Sequence, residues 1–214
     1  MALDNYTNLQ LAIQTWADRN DAAFVAACPD FIALFEANAN TETGLATRFN
    51  TKMTALTLTG TSNLVALPAD FLNAKAMVNT TTSPVQIVPV QTPSALYTTI
   101  NNPTATGPPQ GATITGSNME FAPNADQSYN INLYYFQVIS PLATAAGGVN
   151  WLLTNYPGLY LFGSLLAAEA FLGSDPRLQT WGTLYDNQMQ KIEGSTSRGV
   201  YGGSPLFVRA DAVV

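Results

Sequence analysis

The segment that most constrains this chain runs from Pro157 to Leu172, Pro-Gly-Leu-Tyr-Leu-Phe-Gly-Ser-Leu-Leu-Ala-Ala-Glu-Ala-Phe-Leu. Proline suits the first position of a helix, and the residues after it are apolar on nearly every side of a helical wheel. A helix without a polar face has to be enclosed by other elements, so this one is expected at the centre of a helical bundle. Its apolar run, Leu159 to Ala168, is about half the length of a bilayer span. No other stretch reaches the roughly 18 apolar residues a span requires, and Met1 to Asn8 lacks the basic and apolar regions of a secretory signal. Neither membrane insertion nor secretion is expected.

Helical spacing also marks the start of the chain. Leu9, Ala12, Ile13 and Trp16 share one face, and Thr7-Asn8-Leu9-Gln10 matches a capping box with Thr7 as the cap. A short helix is expected from Asp21 to Ala27, and a separate one opening at Pro29, with Phe31, Leu34 and Phe35 on its apolar side. Later, helix is expected at Val149 to Asn155 and again after Asp175 and Pro176, where Leu178, Trp181, Tyr185 and Ile192 recur at three- to four-residue steps. That pattern stops after Glu193. Gly194 to Val214 is rich in glycine, with a late apolar cluster at Leu206-Phe207-Val208.

Between these regions the period shortens. From Leu56 to Thr59 apolar and hydroxyl residues alternate, which favours a half-buried strand, and Gly60 follows as a turn. Further strands are expected at Asn63 to Leu67, Ala74 to Val78, Pro84 to Gln91, Ala112 to Thr115, Met119 to Ala122 and Ser128 to Val138. Gly116-Ser117 and Pro123-Asn124 read as turns, and Pro93 to Ile100 as a short helix among the strands. The fold class expected is therefore α+β: an α-helical bundle formed by the N- and C-terminal parts, interrupted by a β-rich insertion. The corresponding domains are residues 1–48 with 141–195 for the bundle, 49–140 for the insertion and 196–214 for a flexible C-terminal tail.

Composition narrows the chemistry. The chain has no histidine, which removes Ser-His-Asp and Cys-His catalysis and histidine metal sites. With the single cysteine Cys28, thiolate zinc sites and intrachain disulfides are out of reach. The net charge of −6 and the scattered lysines and arginines argue against nucleic-acid binding. No nucleotide-binding glycine motif occurs. Only 10% of residues are charged, against about 25% in ordinary soluble domains, which suits a surface made for assembly.

The remaining candidates each have a plainer reading. Cys28 reads as a buried apolar residue, and Asp18, Asp21 and Asp30 as helix caps and not a cation site. Glu169, in an apolar helix, is the acid best placed to have a raised pKa, but pairing with Arg177 or a place at the bundle rim accounts for it better. The aromatic groups Tyr129, Tyr134, Tyr135, Phe136 and Trp151, Tyr156, Tyr160, Phe162 suggest a sugar-binding platform, and alternation and helical spacing favour core or subunit-interface packing instead.

Three stretches together carry a resemblance: Tyr6-Thr7-Asn8-Leu9 to Trp16 followed by Phe31-Ile32-Ala33-Leu34-Phe35-Glu36; Leu67-Pro68-Ala69-Asp70-Phe71; and Tyr156-Pro157-Gly158-Leu159-Tyr160-Leu161-Phe162-Gly163 to Phe171, then Arg177, Trp181 and Tyr185. In this order they resemble the head-tail adaptor proteins of tailed bacteriophages, the group of tail tubular protein A and the tail accessory factors. The resemblance implies a non-enzymatic virion protein without cofactors, assembled in the host cytoplasm into a neck ring of usually twelve copies. Its implied partners are its own copies, the portal and the tail or nozzle protein, with tail fibres as a further partner, and genomic DNA passes through its channel without specific binding. It also implies a C-terminal extension docking on the portal, for which Tyr201, Leu206, Phe207, Val208, Arg209 and Val214 are the candidate contacts. The alternatives are a glycan-binding or cell-wall-hydrolysing tail protein using Glu169, and another neck component such as a stopper or tail completion protein.

Overall fold

The computed structural model describes residues 3–41, 45, 50–60, 62–99, 105–173 and 175–201. In chain order its elements are α1 (Tyr6–Ala17), α2 (Ala22–Ala39), β1 (Thr51–Leu58), β2 (Leu64–Ala66), β3 (Phe71–Asn79), β4 (Gln86–Ile87) and α3 (Pro93–Thr99). There follow β5 (Gly111–Thr115), β6 (Asn118–Ala122), β7 (Tyr129–Gln137), α4 (Trp151–Asn155), α5 (Pro157–Ala167), α6 (Glu169–Leu172) and α7 (Arg177–Tyr201). Two compact units result, Met1–Phe49 with Ile139–Val214, and Asn50–Val138.

The fold is mixed α+β, 45% helical and 26% strand, and this corrects the expected terminal helical bundle with a β insertion. Helices are scattered along the chain, α3 among the strands included, and the strands form two separate antiparallel sheets. The physical reason lies in helix length. The apolar helix from Pro157, expected to reach Leu172, closes at Ala167, and the next turn is a separate four-residue helix whose Phe171 is exposed. With α4 only five residues long and α6 only four, the chain around α5 is broken into short helical pieces and does not continue as one long shaft.

Within the first unit, α5 is nevertheless the most enclosed element, with every residue from Leu159 to Leu165 buried. Leu9, Ile13, Phe24, Phe35 and Trp181 belong to the same core. Helix α1 is capped by Asn5, whose side chain accepts the Asn8 amide at 2.9 Å, so Thr7 lies inside the first turn and not at the cap. Its far end closes at Asp18 in the left-handed conformation, φ 52°. There Arg177 donates to the carbonyls of Trp16 (3.0 Å) and Ala17 (2.8 Å) while its guanidinium pairs with Asp175 at 2.7 Å. A cation on free carbonyls at a helix C-terminus satisfies both hydrogen bonding and the helix dipole.

Helix α2 runs unbroken through Pro29, where two helices were expected. Apolar anchors on both sides of the proline, Phe24 and Cys28 before it and Phe31, Ile32 and Phe35 after it, hold one continuous face in the core. By length and composition α2 is also apolar enough to cross a membrane, contrary to the expectation that no such segment exists. Helix α7 continues past Glu193 to Tyr201. Ile192 is in the core and the Ser195 hydroxyl lies 3.3 Å from that of Tyr156, so tertiary contact carries the helix beyond the apolar period.

In the second unit, one sheet has the order β1-β7-β3-β4 and the other β2-β6-β5. Alternation sets the faces: Tyr129, Ile131, Leu133 and Tyr135 of β7 are buried while Asn130 and Tyr134 are exposed. Leu56, Leu58 and Met77 join that buried side, packing with Met119, Phe121 and Ala112 of the smaller sheet. The Gly116-Ser117 turn between β5 and β6 lies where expected, with Gly116 at φ 61°. The strand expected over Pro84 to Gln91 shrinks to two residues, because its prolines cannot donate to a ladder.

Gly163 shows how close this packing is: a Cβ there would lie 2.2 Å from Cδ2 of Phe35. Gly163→Ala is expected to lower unfolding stability by about 1–3 kcal/mol through overpacking, despite the better helix propensity of alanine, as read by urea denaturation.

Candidate functional site

The residues most distinctive chemically are in the core of the first unit. Phe31, Ile32, Phe35 and Glu36 recur at helical spacing on the buried face of α2, so Glu36 is carried inward with its apolar neighbours and is only 6% exposed. Its Oε1 accepts the backbone N–H of Leu142 at 2.9 Å and the hydroxyl of Tyr160, from α5, at 2.9 Å. Asn150 donates from Nδ2 to the Tyr160 oxygen at 2.6 Å and to the Ser140 carbonyl at 2.7 Å. Its Oδ1 accepts the Leu153 amide at 2.9 Å and so caps α4. One network therefore joins α2, α4, α5 and residues 140–142.

Burial pushes the Glu36 carboxyl above the usual range, partly offset by its hydrogen bonds from Leu142 and Tyr160. Burial and the nearby Glu36 carboxylate push the Tyr160 phenol far above its ordinary value. Glu36, Tyr160 and Asn150 are all buried, so this is a structural node of the core. The sequence reading missed it, although an acid within the Phe31-Ile32-Phe35 stripe was the available signal.

The second unit holds a smaller polar group. Asp70, in the turn leading to β3, pairs with Lys52 of β1 at 2.5 Å and accepts the Tyr135 hydroxyl at 2.8 Å. Partial burial alone would raise its carboxyl, but the hydrogen bonds from Lys52 and Tyr135 outweigh it and hold it below the usual range. Tyr135 is pushed up to about 12 by burial and by Asp70. The Val138 amide donates to the Asp70 carbonyl at 2.8 Å, so this turn fastens the ends of β1, β3 and β7 together.

The expected chemical candidates do not converge. Glu169 is exposed at the start of α6, not buried in an apolar helix, and Arg177 pairs with Asp175 in its place. Cys28 is buried, its thiol pushed up by desolvation and donating to the Phe24 carbonyl. Asp21 caps α2 by accepting the Phe24 amide, Asp18 closes α1, and Asp30 is exposed. Among the described residues no three metal-ligating side chains cluster. Tyr129 and Tyr135 belong to the sheet core while Tyr134 faces the other way, so the aromatics form no common platform. Tyr201 is the last residue of α7, and Leu206, Phe207, Val208, Arg209 and Val214 lie outside the described residues.

Large apolar side chains are exposed on both units, among them Leu34 (53%), Met53 (55%) and Tyr134 (37%). The sequence matches the SU10 adaptor protein family over residues 4–209. The chain belongs to that family. The resemblance to phage head-tail adaptors is thus borne out at family level, and the adaptor is a virion component. No curated protein matches it.

The Glu36 node gives a signed prediction. The folded state holds the Glu36 proton more tightly than the unfolded chain, so this contribution to stability is complete at acid pH and is lost as pH rises through the folded pKa. Glu36→Gln removes that loss while keeping an acceptor oxygen. The stability of the variant relative to wild type is expected to rise from pH 4 to pH 8 in urea titrations. Glu36→Ala leaves two buried donors unpaired and is expected to cost about 1–3 kcal/mol.

Proposed function

We propose that this adaptor forms a ring at the phage neck, docks below the portal, extends the DNA channel and gives the tail or nozzle its platform. The ring holds twelve copies and acts without catalysis or a cofactor, and it assembles in the host cytoplasm before joining the particle. The observation that carries this reading is the family match, which runs through nearly the whole chain and includes the segment after α7 as far as residue 209. The docking tail, expected over residues 196–214, starts here from the end of α7 at Tyr201, with Leu206, Phe207 and Val208 as its apolar anchor and Tyr201, Arg209 and Val214 as further contacts.

Charge supports the channel role. A net charge of −6 on each copy repels phosphate, so DNA can pass without being gripped. The low share of charged residues suits permanent contact with copies and partners, because interface cores are depleted in charge.

The test is a particle reconstruction combined with a truncation that leaves α7 whole. Density for twelve copies between portal and tail is expected. Deleting residues 202–214 is expected to leave a folded subunit that is missing from particles. Incorporation of the truncated chain at wild-type level would overturn the docking role of the tail.

A further inference from the structure

Two open faces, one on α2 and one on the larger sheet, lie apart from the polar groups around Glu36 and Asp70. Helix α2 contains two charged residues, and Glu36 is buried, which leaves Asp30 as the only charge on its open side. Around Asp30 that side presents Ala26, Ala33, Leu34 and Ala37, all exposed. A helix apolar all round is ordinarily enclosed, yet only seven residues of α2 are buried, Phe24, Cys28, Phe31, Ile32, Phe35, Glu36 and Ala39.

The second face is the outward side of the larger sheet. Tyr134 stands directly opposite Met53 on one side and Ala76 on the other, and Phe136 stands opposite Thr51 and Asn73. Across the four strands of this sheet the charged residues are Lys52 and Lys75. Lys52 is engaged by Asp70. Lys75, at the register shift between Ala74 and Ala76, lies with its ammonium 5.5 Å from the centre of the Phe136 ring. The outward face therefore sets Met53, Ala55, Ala76, Tyr134 and Phe136 among the uncharged polar residues Thr51, Thr57, Asn73, Asn130 and Asn132, with a single positive charge and no acid on its strands.

Symmetry decides how such faces pair. A two-fold contact of α2 with α2 would bring the two Asp30 side chains together at mid-helix, like against like. Pairing α2 with the sheet instead sets a helix with one acid on a sheet with one base, and brings Ala33 and Leu34 against the apolar patch of Met53, Tyr134 and Phe136. We propose that the open face of α2 in one copy packs on the outward sheet face of a second copy, with Asp30 against Lys75. The contact is heterologous, each copy offering both faces, and repetition of a heterologous contact closes a ring when the rotation permits. The inference rests on the reading of this adaptor as ring-forming and names the surfaces that make the ring.

The test uses full-length chain carrying Asp30→Cys and Lys75→Cys together, assembled into particles and treated with a short bis-maleimide. The native Cys28 is buried and stays out of the reaction. A ladder of dimer, trimer and higher species is expected from the double variant, and none from either single variant. Charge reversal gives a second readout. Asp30→Lys and Lys75→Glu are each expected to lower incorporation roughly tenfold or more, and their combination to restore it to within about twofold of wild type.

Dimers from Asp30→Cys alone would overturn the proposal in favour of a helix-to-helix contact. Flotation of the purified chain with phosphatidylcholine vesicles, abolished by Leu34→Glu, would overturn it in favour of a lipid surface. A double variant that folds by circular dichroism and is present in several copies per particle, yet gives no ladder, would overturn this contact and leave the ring standing. A single copy per particle would overturn the ring itself.

Discussion

A carboxyl group enclosed among aromatic side chains is tolerated only where the polar atoms around it have partners, and the first unit is arranged about such a group. Glu36 brings α2 to α5 through the Tyr160 hydroxyl and to residues 140–142 through the Leu142 amide. Asn150 completes the arrangement and starts α4 with the same side chain. Each bond requires a particular helix position and a particular approach of the returning chain. The apolar contacts of α5 would accept small slides, whereas this network would lose a partner with each one. Stability and uniqueness therefore have different sources here, the first in burial of α5 and the second in a few directional bonds.

The second unit achieves its register by other means. Strict alternation along β7 separates a buried row from an exposed one, and a slip of one residue would turn Ile131 and Leu133 outward. Asp70 then fastens one end of the sheet through Lys52 and Tyr135. What is left exposed has few charges on either unit, because only 10% of the chain's residues are charged.

Much of the local structure was legible. The alternation at Leu56 to Leu58 and along Tyr129 to Gln137, the turn at Gly116-Ser117 and the helix beginning at Pro157 are written in spacings of two and of three to four residues. Boundaries were less so. Pro29 read as a helix start because a proline suits that position, but the apolar residues on both sides of it hold α2 together. Glu193 read as an end because the period fades there, although Ile192 and Ser195 carry α7 onward. Glu169 looked important because it follows an apolar run; the break after Ala167 turns it outward. Glu36 was visible on an apolar stripe, but nothing local shows that Tyr160 and Asn150, more than a hundred residues away, come to meet it.

By itself the sequence determined which faces are apolar, where strands and helices alternate, and which chemistries are absent, because these depend on residue type and spacing alone. It also carried the family, since the matching motifs are stretches of sequence. Only the tertiary structure decided that the helices are scattered through a mixed α+β fold and do not form a terminal bundle, that the strands divide into two sheets, and that one acid becomes a buried node while another becomes a surface residue. Those outcomes depend on which distant groups share a core, and a local period cannot encode the partner of a buried polar atom.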